Sequence, residues 1–490
     1  MIVEEVQIAS LVGKDVSSKR AVFTGEHVAF WDEFARKIGR WQPARRYYRD
    51  QLARLFAFSV PPGSRVLEVG CGTGDLLAAL RPAYGVGIDF SPEMVKLARE
   101  KHPELNFQHA DAHDFDLGEK FDFVVCSDLI NDLWDVQMVL ERIAAHCHPG
   151  TRLMMNFYSQ LWAGPRKVAE ATGLVKRLLL QNWLTVEDVS DLLYLAGYET
   201  IRHSREIMCP VRVPLLGGLA NRYLVRLWPF SHLAITHMLI ARPQPLADPS
   251  REGSVSVIVA ARNEEGNVPQ IFDRLPQMGT GTELIFVEGH STDHTWEAAQ
   301  RELAQRPGFP ARLLQQTGKG KGDAVRLGFA EARGDLLMIL DADLTVMPED
   351  LPRFYEAWRS GRGDFINGVR LVYPMEEKAM RFFNLLGNKF FSLAFSWLLG
   401  QSIKDTLCGT KVLSRRQYET IAANRAWFGE FDPFGDFDLI FGAARFNLKI
   451  VDMPVRYGER TYGDTNIQRW RHGVVLLRMV MVAMRRIRFI

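Results

Sequence analysis

The sequence has few cysteines and almost no excess of charge, and each scarcity argues against a class of protein. It contains five cysteines: Cys71, Cys126, Cys147, Cys209 and Cys408. They form no CxxC pair and have no histidine at zinc-ligand spacing, so we expect neither a disulfide framework nor a zinc site, and we expect a reducing, cytoplasmic compartment. The formal net charge of +2 over 490 residues lacks the basic excess typical of nucleic-acid binding, so no nucleic-acid partner is expected.

The chain also lacks the basic, apolar start of a secretory signal, and we therefore expect no export. At 490 residues it exceeds what one hydrophobic core usually supports, so more than one domain is expected. The clearest break in composition is residues 241–253, a polar stretch with three prolines, which neither a helix nor a central strand tolerates. This stretch predicts domains of residues 1–243 and 244–490.

Short apolar runs alternate with helix-length segments on both sides of the break, and this alternation is typical of α/β domains. We therefore predict two doubly wound domains with mainly parallel sheets. The predicted strands are residues 66–69, 85–89, 106–110, 121–126, 152–157, 199–204 and 234–241 in the first half, and 255–260, 283–288, 311–315, 336–340, 365–370 and 449–455 in the second.

The strongest local pattern in the first half is residues 65–75, a buried-strand run that opens into a glycine-rich turn and a helix. Gly70, Gly72 and Gly74 alternate strictly, whereas a dinucleotide-binding turn reads G-x-G-x-x-G. Because glycine has no Cβ, a ligand can lie directly against this backbone. The alternating form resembles the first motif of class I S-adenosylmethionine (SAM)-dependent methyltransferases, which have a Rossmann-like fold.

The resemblance covers about residues 24–242 and implies the remaining contacts to SAM. Glu68 would face the amino group or the sulfonium of the cofactor. Asp89, which could also be a simple helix cap, would bind the ribose hydroxyls. Asp111, within the segment that ends at Ala112, resembles the residue that binds the adenine amino group.

The methyl acceptor is not predicted by the sequence. Methyl transfer needs a base only where the acceptor holds a proton, and the candidate bases are His109, His113, Asp114 and Asp128. Residues 127–131 lack the signature of amino-group DNA methyltransferases. A SAM-binding module without chemistry also fits the pattern. The apolar, basic segment 208–229 would either cover the substrate or pack on the second domain.

In the second half, an apolar run from residue 335 ends in Asp341 and Asp343. Successive side chains of a strand alternate between its faces, so the two carboxylates are expected to point the same way. Oxygen ligands of this kind hold Mg²⁺ or Mn²⁺, and such a cation neutralises a departing nucleoside diphosphate. The pair therefore predicts a metal site for a diphosphate substrate.

Residues 254–268 resemble the opening of family 2 glycosyltransferases, which have the GT-A fold. In residues 285–295, Glu288 holds the first acidic position of the family pattern and Gly289 the second, so UDP and GDP both remain open as the nucleotide. Lysines in residues 318–328 suit phosphates or a nucleobase edge. The positions predicted to contact the nucleotide-sugar donor are Ala260, Arg262, Glu264, Glu288, Lys321 and Asp341.

Within this family, residues 367–370, 403–411 and 457–465 resemble the later motifs of dolichyl- and polyprenyl-phosphate sugar transferases. The resemblance implies that Arg370 and Arg460 grip a donor or acceptor phosphate. A lipid phosphate needs no base, whereas a hydroxyl acceptor of a polysaccharide needs one. The candidate bases are Asp405, Asp436 and Asp438. Inversion at the anomeric carbon is expected with either acceptor.

Two apolar segments bear on membrane contact, and the oligomeric state is not predicted. Residues 382–399 form either a buried core helix or an interfacial helix that faces the acceptor. In the tail, residues 473–490, Arg478 would cost roughly 2.5–3.5 kcal/mol at mid-bilayer, so a span is not expected. Arg471, Arg478 and Arg485 instead share one helical face. The tail would lie in an anionic headgroup layer or pack against its domain, and the first choice predicts a peripheral enzyme at the inner face of the cytoplasmic membrane.

Overall fold

The structure, a computed structural model, divides the chain into two compact units, Met1–Gln244 and Pro245–Ile490. This division lies within the proline-containing stretch 241–253. Each unit is described by itself. The described residues are 2–173, 179, 181–245, 251–370, 382–427, 435, 437–458, 460, 462 and 469–489.

In the first unit, helices flank a central sheet. The helices are α1 (Ile2–Ser59), α2 (Asp75–Ala79), α3 (Pro92–Lys101), α4 (Val136–Ala144), α5 (Ala163–Ala171), α6 (Val186–Leu195) and α7 (Leu216–Arg222). The strands are β1 (Arg65–Val69), β2 (Tyr84–Asp89), β3 (Asn106–His109), β4 (Phe121–Ser127), β5 (Cys147–Tyr158), β6 (Tyr198–Glu206) and β7 (Thr236–Pro243). All the strands predicted for this half are confirmed.

The order of the first sheet, among the described residues, is β3-β2-β1-β4-β5-β7-β6. Strands β1 to β5 pair in parallel, whereas β7 runs antiparallel to both β5 and β6. The sheet is therefore mixed at one edge. Apolar runs in the sequence do not encode whether a strand is parallel or antiparallel to its neighbours. The strand order reverses between β1 and β4, and in open α/β sheets ligands bind at the carboxyl ends of the strands at such a switch point.

Helix α1 has no counterpart among the sequence predictions. Its last turns carry Leu52 and Phe56, which are buried and join a core cluster with Val66 of β1. The long helix thus packs on the sheet at its C-terminal end. Its apolar side chains show no strong helical periodicity along the full length, and for this reason the sequence pattern did not indicate it.

The second unit repeats the layering with a different strand order. The helices are α8 (Val268–Arg274), α9 (Thr295–Ala304), α10 (Lys321–Glu331), α11 (Leu351–Arg359), α12 (Phe382–Leu399), α13 (Arg415–Ala423), α14 (Phe437–Arg445) and α15 (Arg469–Ala483). The strands are β8 (Val255–Ala261), β9 (Thr282–Glu288), β10 (Ala311–Gln315), β11 (Leu336–Ile339), β12 (Phe365–Val369), β13 (Lys411–Ser414) and β14 (Ile450–Pro454).

Over the described residues, the second sheet has the order β10-β9-β8-β11-β13-β12-β14. The strands predicted for this half are confirmed, but β13 was missed. This strand of four residues lies antiparallel between β11 and β12. It was missed because Lys411 and Ser414 leave only two apolar residues in the strand. Tertiary packing, and not a local apolar pattern, places this strand inside the sheet.

Helix α12 has a buried face, as the core alternative predicts, and an exposed face, whose contact with an acceptor stays a prediction. Phe395 and Leu399 are buried in the core, whereas Phe390 is 55% exposed and Leu393 is 66% exposed. One face is therefore a core face and the other a solvent face. No helix in the described part of the chain is long and apolar enough to cross a bilayer.

Replacing Phe395 by alanine tests the core role of α12. The Phe395 ring lies 5.3 Å from the Phe437 ring, centroid to centroid, and 5.8 Å from that of Phe441. Loss of such a buried ring typically destabilises by about 3–5 kcal/mol, so the unfolding transition of the second unit should move to clearly lower temperature in calorimetry. Phe390→Ala on the exposed face is the matched control, and an equal effect of both changes would contradict the assignment.

Candidate functional site

The carboxyl ends of β1 and β4 carry unusual backbone conformations. Gly70, Gly72 and Gly74 have φ values of 74°, 51° and 72°, in the left-handed region that favours glycine. A Cβ added at Gly72 would have no heavy atom within 4 Å, so this backbone faces open space. Asp128 follows β4 with a φ of 51°, and non-glycine residues in this region are often found at functional sites.

Two buried carboxylates surround this turn. Oδ2 of Asp89 accepts a hydrogen bond from the Gly72 N–H at 2.8 Å, and Oδ1 accepts one from the Ser91 N–H at 2.9 Å. Oε2 of Glu68 accepts from the Leu77 N–H at 3.0 Å, in the first turn of α2. Burial raises the pKa of both carboxyl groups. Asp89 thus fixes the glycine turn itself, and Glu68 ties β1 to α2.

Asp111 lies beside the same turn and remains ionised. Its Oδ1 accepts hydrogen bonds from the backbone N–H of His113 at 2.9 Å and from the His113 ring at 2.7 Å. Burial raises the pKa of Asp111, but these bonds outweigh it and bring the value to about 2. The other ring nitrogen of His113 accepts from the Asp135 N–H at 3.1 Å. Both nitrogens of His113 are therefore engaged, and the geometry argues against this residue as a base.

The other three candidate bases differ in their access to the turn. His109 is an exposed side chain whose Nε2 lies 3.0 Å from the Phe90 carbonyl. Asp114 is also exposed and lies 3.6 Å from Arg142. Neither is among the residues that line the cavity described next, whereas Asp128 is. Asp128 accepts a hydrogen bond from the Tyr48 hydroxyl at 2.9 Å.

A cavity of about 1100 Å³ opens over the glycine turn. Asp89, Asp111 and Ala112 lie in its polar wall. Another part of the lining is aromatic and comes in good part from α1, which the sequence predictions left unassigned. The aromatic lining includes Phe23, Phe30, Trp31, Phe34, Tyr48, Trp162 and Trp183.

His27 of α1 lies in the cavity wall with one ring nitrogen unsatisfied. The side chain is 2% exposed, and its ring stacks on that of Phe23 at 3.8 Å. Nδ1 lies 2.8 Å from the Phe23 carbonyl, which only accepts, so Nδ1 carries the proton in this bond. Nε2 has no hydrogen-bond partner among the described residues. With Nδ1 as the donor, the neutral form of the ring would carry its lone pair on Nε2. A histidine in a helix that the sequence predictions left unassigned gave no signal for this in the sequence.

In the second unit, Asp341 and Asp343 lie close together at the carboxyl edge of the sheet. Strand β11 ends at Ile339, so the two carboxylates lie on the following turn and the expected strand alternation does not apply to them. Burial and the charge of Asp341 raise the pKa of Asp343. Burial also raises the pKa of Asp341, but Lys321, whose Nζ lies 2.6 Å from Oδ1, outweighs it and holds that pKa below the usual value.

This pair fits a divalent cation only together with further oxygen ligands. Within the described ranges, no group of three or more His, Cys, Asp or Glu side chains is arranged to hold a metal. Mg²⁺ at phosphate sites commonly takes one or two carboxylates, with substrate phosphates and water completing the octahedron. The lack of a side chain at Gly409 leaves space for the Asp341 carboxylate, because a Cβ added at Gly409 would lie 2.1 Å from Oδ2 of Asp341. Asp341 and Asp343 thus fit the carboxylate ligands of such a site, and the other ligands would come from phosphate and water.

Strained backbone surrounds this edge. Asn263, His290 and Leu344 have φ values of 57°, 55° and 53°, and they follow β8, β9 and β11, which are neighbours in the sheet. Non-glycine residues in this region cost of order 1–3 kcal/mol each and cluster at ligand sites. The strained backbone and the two carboxylates therefore lie at the same edge of the sheet.

The predicted donor contacts lie around these three turns. Glu264 pairs with Arg460, and both interact electrostatically with Asp343. Ala260 belongs to β8, and Arg262 is exposed just beyond it. Glu288 ends β9 and accepts a hydrogen bond from the backbone N–H of residue 291. The structure thus brings Glu264, Arg460 and Asp343 together.

The geometry argues against Asp405 as a base. Its carboxylate is 1% exposed and accepts from Nε of Arg370 at 2.7 Å and from Nη2 at 2.9 Å. Burial raises the pKa of Asp405, but the charge and hydrogen bonds of Arg370 outweigh it and the pKa is lowered. Such a group holds Arg370 in place and is a poor proton acceptor. Asp436 lies outside the described residues, and Asp438 lies 3.2 Å from Nε of Arg425.

Comparisons with known proteins assign the two units to different families. Residues 40–203 match the model of a methyltransferase domain, and residues 256–420 match that of glycosyl transferase family 2. The chain is 31% identical over 221 residues to dolichol-phosphate mannosyltransferase of Pyrococcus furiosus, with 44% of this chain and 59% of that protein covered. It is 26% identical to undecaprenyl-phosphate 4-deoxy-4-formamido-L-arabinose transferase of Edwardsiella ictaluri, with 43% and 62% covered. The chain therefore spans less than two thirds of the length of these relatives.

Solved structures resemble each unit at low sequence identity. Glucosyl-3-phosphoglycerate synthase of Mycobacterium tuberculosis, solved with Mn²⁺ and UDP, is 20% identical with a TM-score of 0.36, and the match covers 48% of this chain and 80% of that one. Magnesium protoporphyrin IX methyltransferase of Synechocystis is 18% identical with a TM-score of 0.28, and the match covers 44% and 83%.

Replacing Asp405 by asparagine should unfold the second unit more easily, because it leaves the Arg370 guanidinium buried without a counter-charge. Breaking one partner of a buried pair typically costs about 3–5 kcal/mol of unfolding free energy, measurable by denaturant titration at neutral pH. Because the folded pKa is lowered, the stabilisation by Asp405 is full above the unfolded-state pKa of about 4 and is lost as the pH falls through the folded value.

The matched control for this change is Asp335→Asn, at an exposed carboxylate that accepts from Ser254. It should change the unfolding free energy by far less. A fully stable Asp405→Asn protein that has lost only turnover would restore the assignment of Asp405 as a base.

Proposed function

We propose that this chain is a bifunctional transferase whose methyltransferase domain, which uses SAM, and family 2 glycosyltransferase domain act in one glycolipid pathway. The second domain transfers a sugar from a nucleotide-sugar to a polyprenyl phosphate or another lipid-linked acceptor. The first transfers a methyl group from SAM to an acceptor of the same pathway. The enzyme works as a peripheral protein at the cytoplasmic face of the membrane.

The observation that carries the lipid-phosphate acceptor is the engagement of the carboxylates that would serve as a base. Asp405 is held by Arg370, and Asp438 lies beside Arg425. A lipid phosphate is already an anion and attacks without a base, whereas a hydroxyl must lose its proton. The similar proteins reported above are dolichol-phosphate and undecaprenyl-phosphate sugar transferases, and their acceptors support the same acceptor class.

On the donor side, Asp341 and Asp343 would hold Mg²⁺ or Mn²⁺ together with the diphosphate of a UDP- or GDP-sugar. The cation supplies charge neutralisation for the departing diphosphate. Lys321 is paired with Asp341, and we expect its ammonium to bind a donor phosphate in place of that carboxylate. Arg460 pairs with Glu264 and can make the same exchange. Attack opposite the leaving group inverts the anomeric carbon.

On the methyl side, the turn at Gly72 and the carboxylates Asp89 and Asp111 would hold SAM against the polar wall of the cavity. The aromatic wall would hold the acceptor. Nε2 of His27, with a lone pair and no partner among the described residues, would accept the proton of a hydroxyl acceptor as the methyl group is transferred. A domain that binds SAM without chemistry remains the alternative for this half.

A second candidate function is a polysaccharide or glycoconjugate transferase with a hydroxyl acceptor. It would use Asp436 as the base, in a segment for which the structure gives no position. The Asp436→Asn protein separates the two functions. Complete loss of turnover with donor binding intact would favour the hydroxyl acceptor, and retained turnover would favour the phosphate.

The direct test incubates purified protein with Mn²⁺, labelled donor sugar and a polyprenyl phosphate, followed by mass spectrometry of the lipid fraction. A new sugar-phosphate lipid, with a methyl mass increment when SAM is added, is expected. Label in a soluble glycan with none in the lipid would overturn the lipid half of the proposal.

Replacing Asp343 by asparagine should weaken the Mn²⁺-dependent binding of nucleoside diphosphate. A metal site generally loses at least about tenfold in affinity when a supporting group is removed, and a direct ligand should cost no less. Calorimetry with UDP and with GDP, each with and without Mn²⁺, measures this loss and also identifies the nucleotide. Asp335→Asn, at the exposed start of the same apolar run, should bind as the wild type does. Equal Mn²⁺ dependence in wild type and Asp343→Asn would contradict the metal role.

Replacing His27 by asparagine should slow methyl transfer while leaving SAM binding intact. Loss of a general base typically costs about 10²–10⁴-fold in rate. The rate is measured as label passed from SAM to the glycolipid made by the same protein, and SAM affinity by calorimetry. His109→Asn changes an exposed histidine outside the cavity and should have no effect. Weakened SAM binding in the His27 variant would instead indicate a structural role.

A further inference from the structure

The long connection between β6 and β7 has an unusual composition. Residues 208–235 contain no aspartate or glutamate, and they contain three arginines and one histidine. Leucine, valine and aromatic residues make up much of the rest. Across the whole chain, acidic residues balance basic ones almost equally, 58 against 60. The complete absence of acids over this stretch is therefore a local property.

The apolar side chains of this connection lie on the surface of the first unit. Large solvent-facing apolar patches on soluble proteins generally mark an interaction site. We call the exposed surface of residues 211–233 the apolar platform. Its most exposed large side chains are Leu215 (85%), Trp228 (81%), Leu216 (69%), Leu219 (52%), Val211 (51%), Leu233 (47%) and Phe230 (45%).

The platform is held by internal contacts and is not a loose loop. Asn221 is buried, and its Oδ1 accepts from the backbone N–H of Met208 at 2.9 Å and of Cys209 at 2.7 Å. Its Nδ2 donates to the Cys209 carbonyl at 2.7 Å. Arg226 is buried and pairs with Glu206 at the end of β6. The backbone is thus anchored while the leucines and Trp228 remain outside.

We propose that the apolar platform docks the methyltransferase unit on an anionic lipid bilayer. Trp, Phe and Leu insert at the headgroup boundary, where aromatic rings are preferred. Arg212 and Arg222 are exposed in the same segment and match an anionic surface, which attracts basic residues that lie close to it. The lack of acids removes the repulsion that such a surface would otherwise meet.

Charge is the reason for choosing lipid over a protein partner. The platform offers no carboxylate to pair with a basic partner, and many of its large apolar side chains are exposed. Helix α7 has seven residues, so the platform lies on the membrane and does not insert across it. A fluid anionic surface suits this arrangement, because it needs neither a matching shape nor a fixed set of hydrogen bonds.

The platform begins at the wall of the SAM cavity. Pro210 and Val211 line that cavity, as do Pro165 and Ala169 of α5, and Val168 of the same helix is 64% exposed. Docking therefore brings this wall to the lipid surface, from which a membrane-held acceptor would enter. This consequence rests on the methyl transfer proposed above, whereas the docking itself does not.

A matched pair of double variants of the full chain tests the proposal. Leu216→Ser with Trp228→Ser removes one leucine and one aromatic residue from the platform. Tyr194→Ser with Leu195→Ser does the same on α6, where the two side chains are 70% and 64% exposed. Binding is measured by co-sedimentation with phosphatidylcholine vesicles that contain about 30% phosphatidylglycerol, and with vesicles of phosphatidylcholine alone.

The platform variant should bind the anionic vesicles at least tenfold more weakly than the wild type, and the control variant should bind as the wild type does. Both should bind SAM with unchanged affinity, which shows that the unit remains folded. Deuterium exchange of the full chain should slow at residues 208–233 when anionic vesicles are added, and should not change at residues 190–197.

Three outcomes would overturn the proposal. The platform variant could bind vesicles as tightly as the wild type, or deuterium exchange at residues 208–233 could stay the same when anionic vesicles are added. The platform variant could also shift the oligomeric state in sedimentation velocity without any effect on vesicles, which would make the platform a contact with a second copy. Restored binding in a Leu216→Phe, Trp228→Phe protein would add direct support for apolar insertion.

Discussion

Carboxylates that are buried in the first unit and partly buried in the second, at the carboxyl edges of the two sheets, are the constraint on which both candidate sites depend. A carboxylate removed from water needs a compensating charge or hydrogen bond, because burial alone favours its neutral form. In the first unit Asp89 receives the backbone N–H groups of Gly72 and Ser91. In the second, Asp341 receives the ammonium of Lys321. The compensation thus comes from rigid backbone in one site and from a long, flexible side chain in the other.

This difference suits the two ligands. Two backbone N–H groups bound to Asp89 fix the turn at Gly72, and a fixed turn suits a site that positions a sulfonium for in-line displacement. Lys321 can leave Asp341 once a cation and a diphosphate take its place, because its side chain can reorient without movement of the sheet. Lys321 lowers the pKa of Asp341, whereas burial and the charge of Asp341 raise the pKa of Asp343, so the two carboxylates of the pair are compensated unequally.

The sequence predicted those parts of the sites that local pattern encodes. The alternation of Gly70, Gly72 and Gly74 located the first turn, and the run that ends in Asp341 and Asp343 located the second. Strand β13 and the role of Asp405 were out of reach, because both arise from contacts between segments that are distant in sequence. The burial of Asp405 against Arg370 became evident only when β12 and the turn before β13 were brought together. His27 was missed for the same reason, since a histidine in a helix has a role only when a cavity opens beside it.

The two proposed acceptors differ in how much help their nucleophiles need, and the architecture follows that difference. A phosphate nucleophile brings its own negative charge, so the second site can commit its buried carboxylate to Arg370 and still function. A hydroxyl must lose a proton as it attacks, so the first site needs a base with an available lone pair, and His27 has one on Nε2. Placing the base on α1, away from the glycine turn, leaves the polar wall to SAM. The proposed base and the residues proposed to hold SAM therefore come from different elements of the fold that line one cavity.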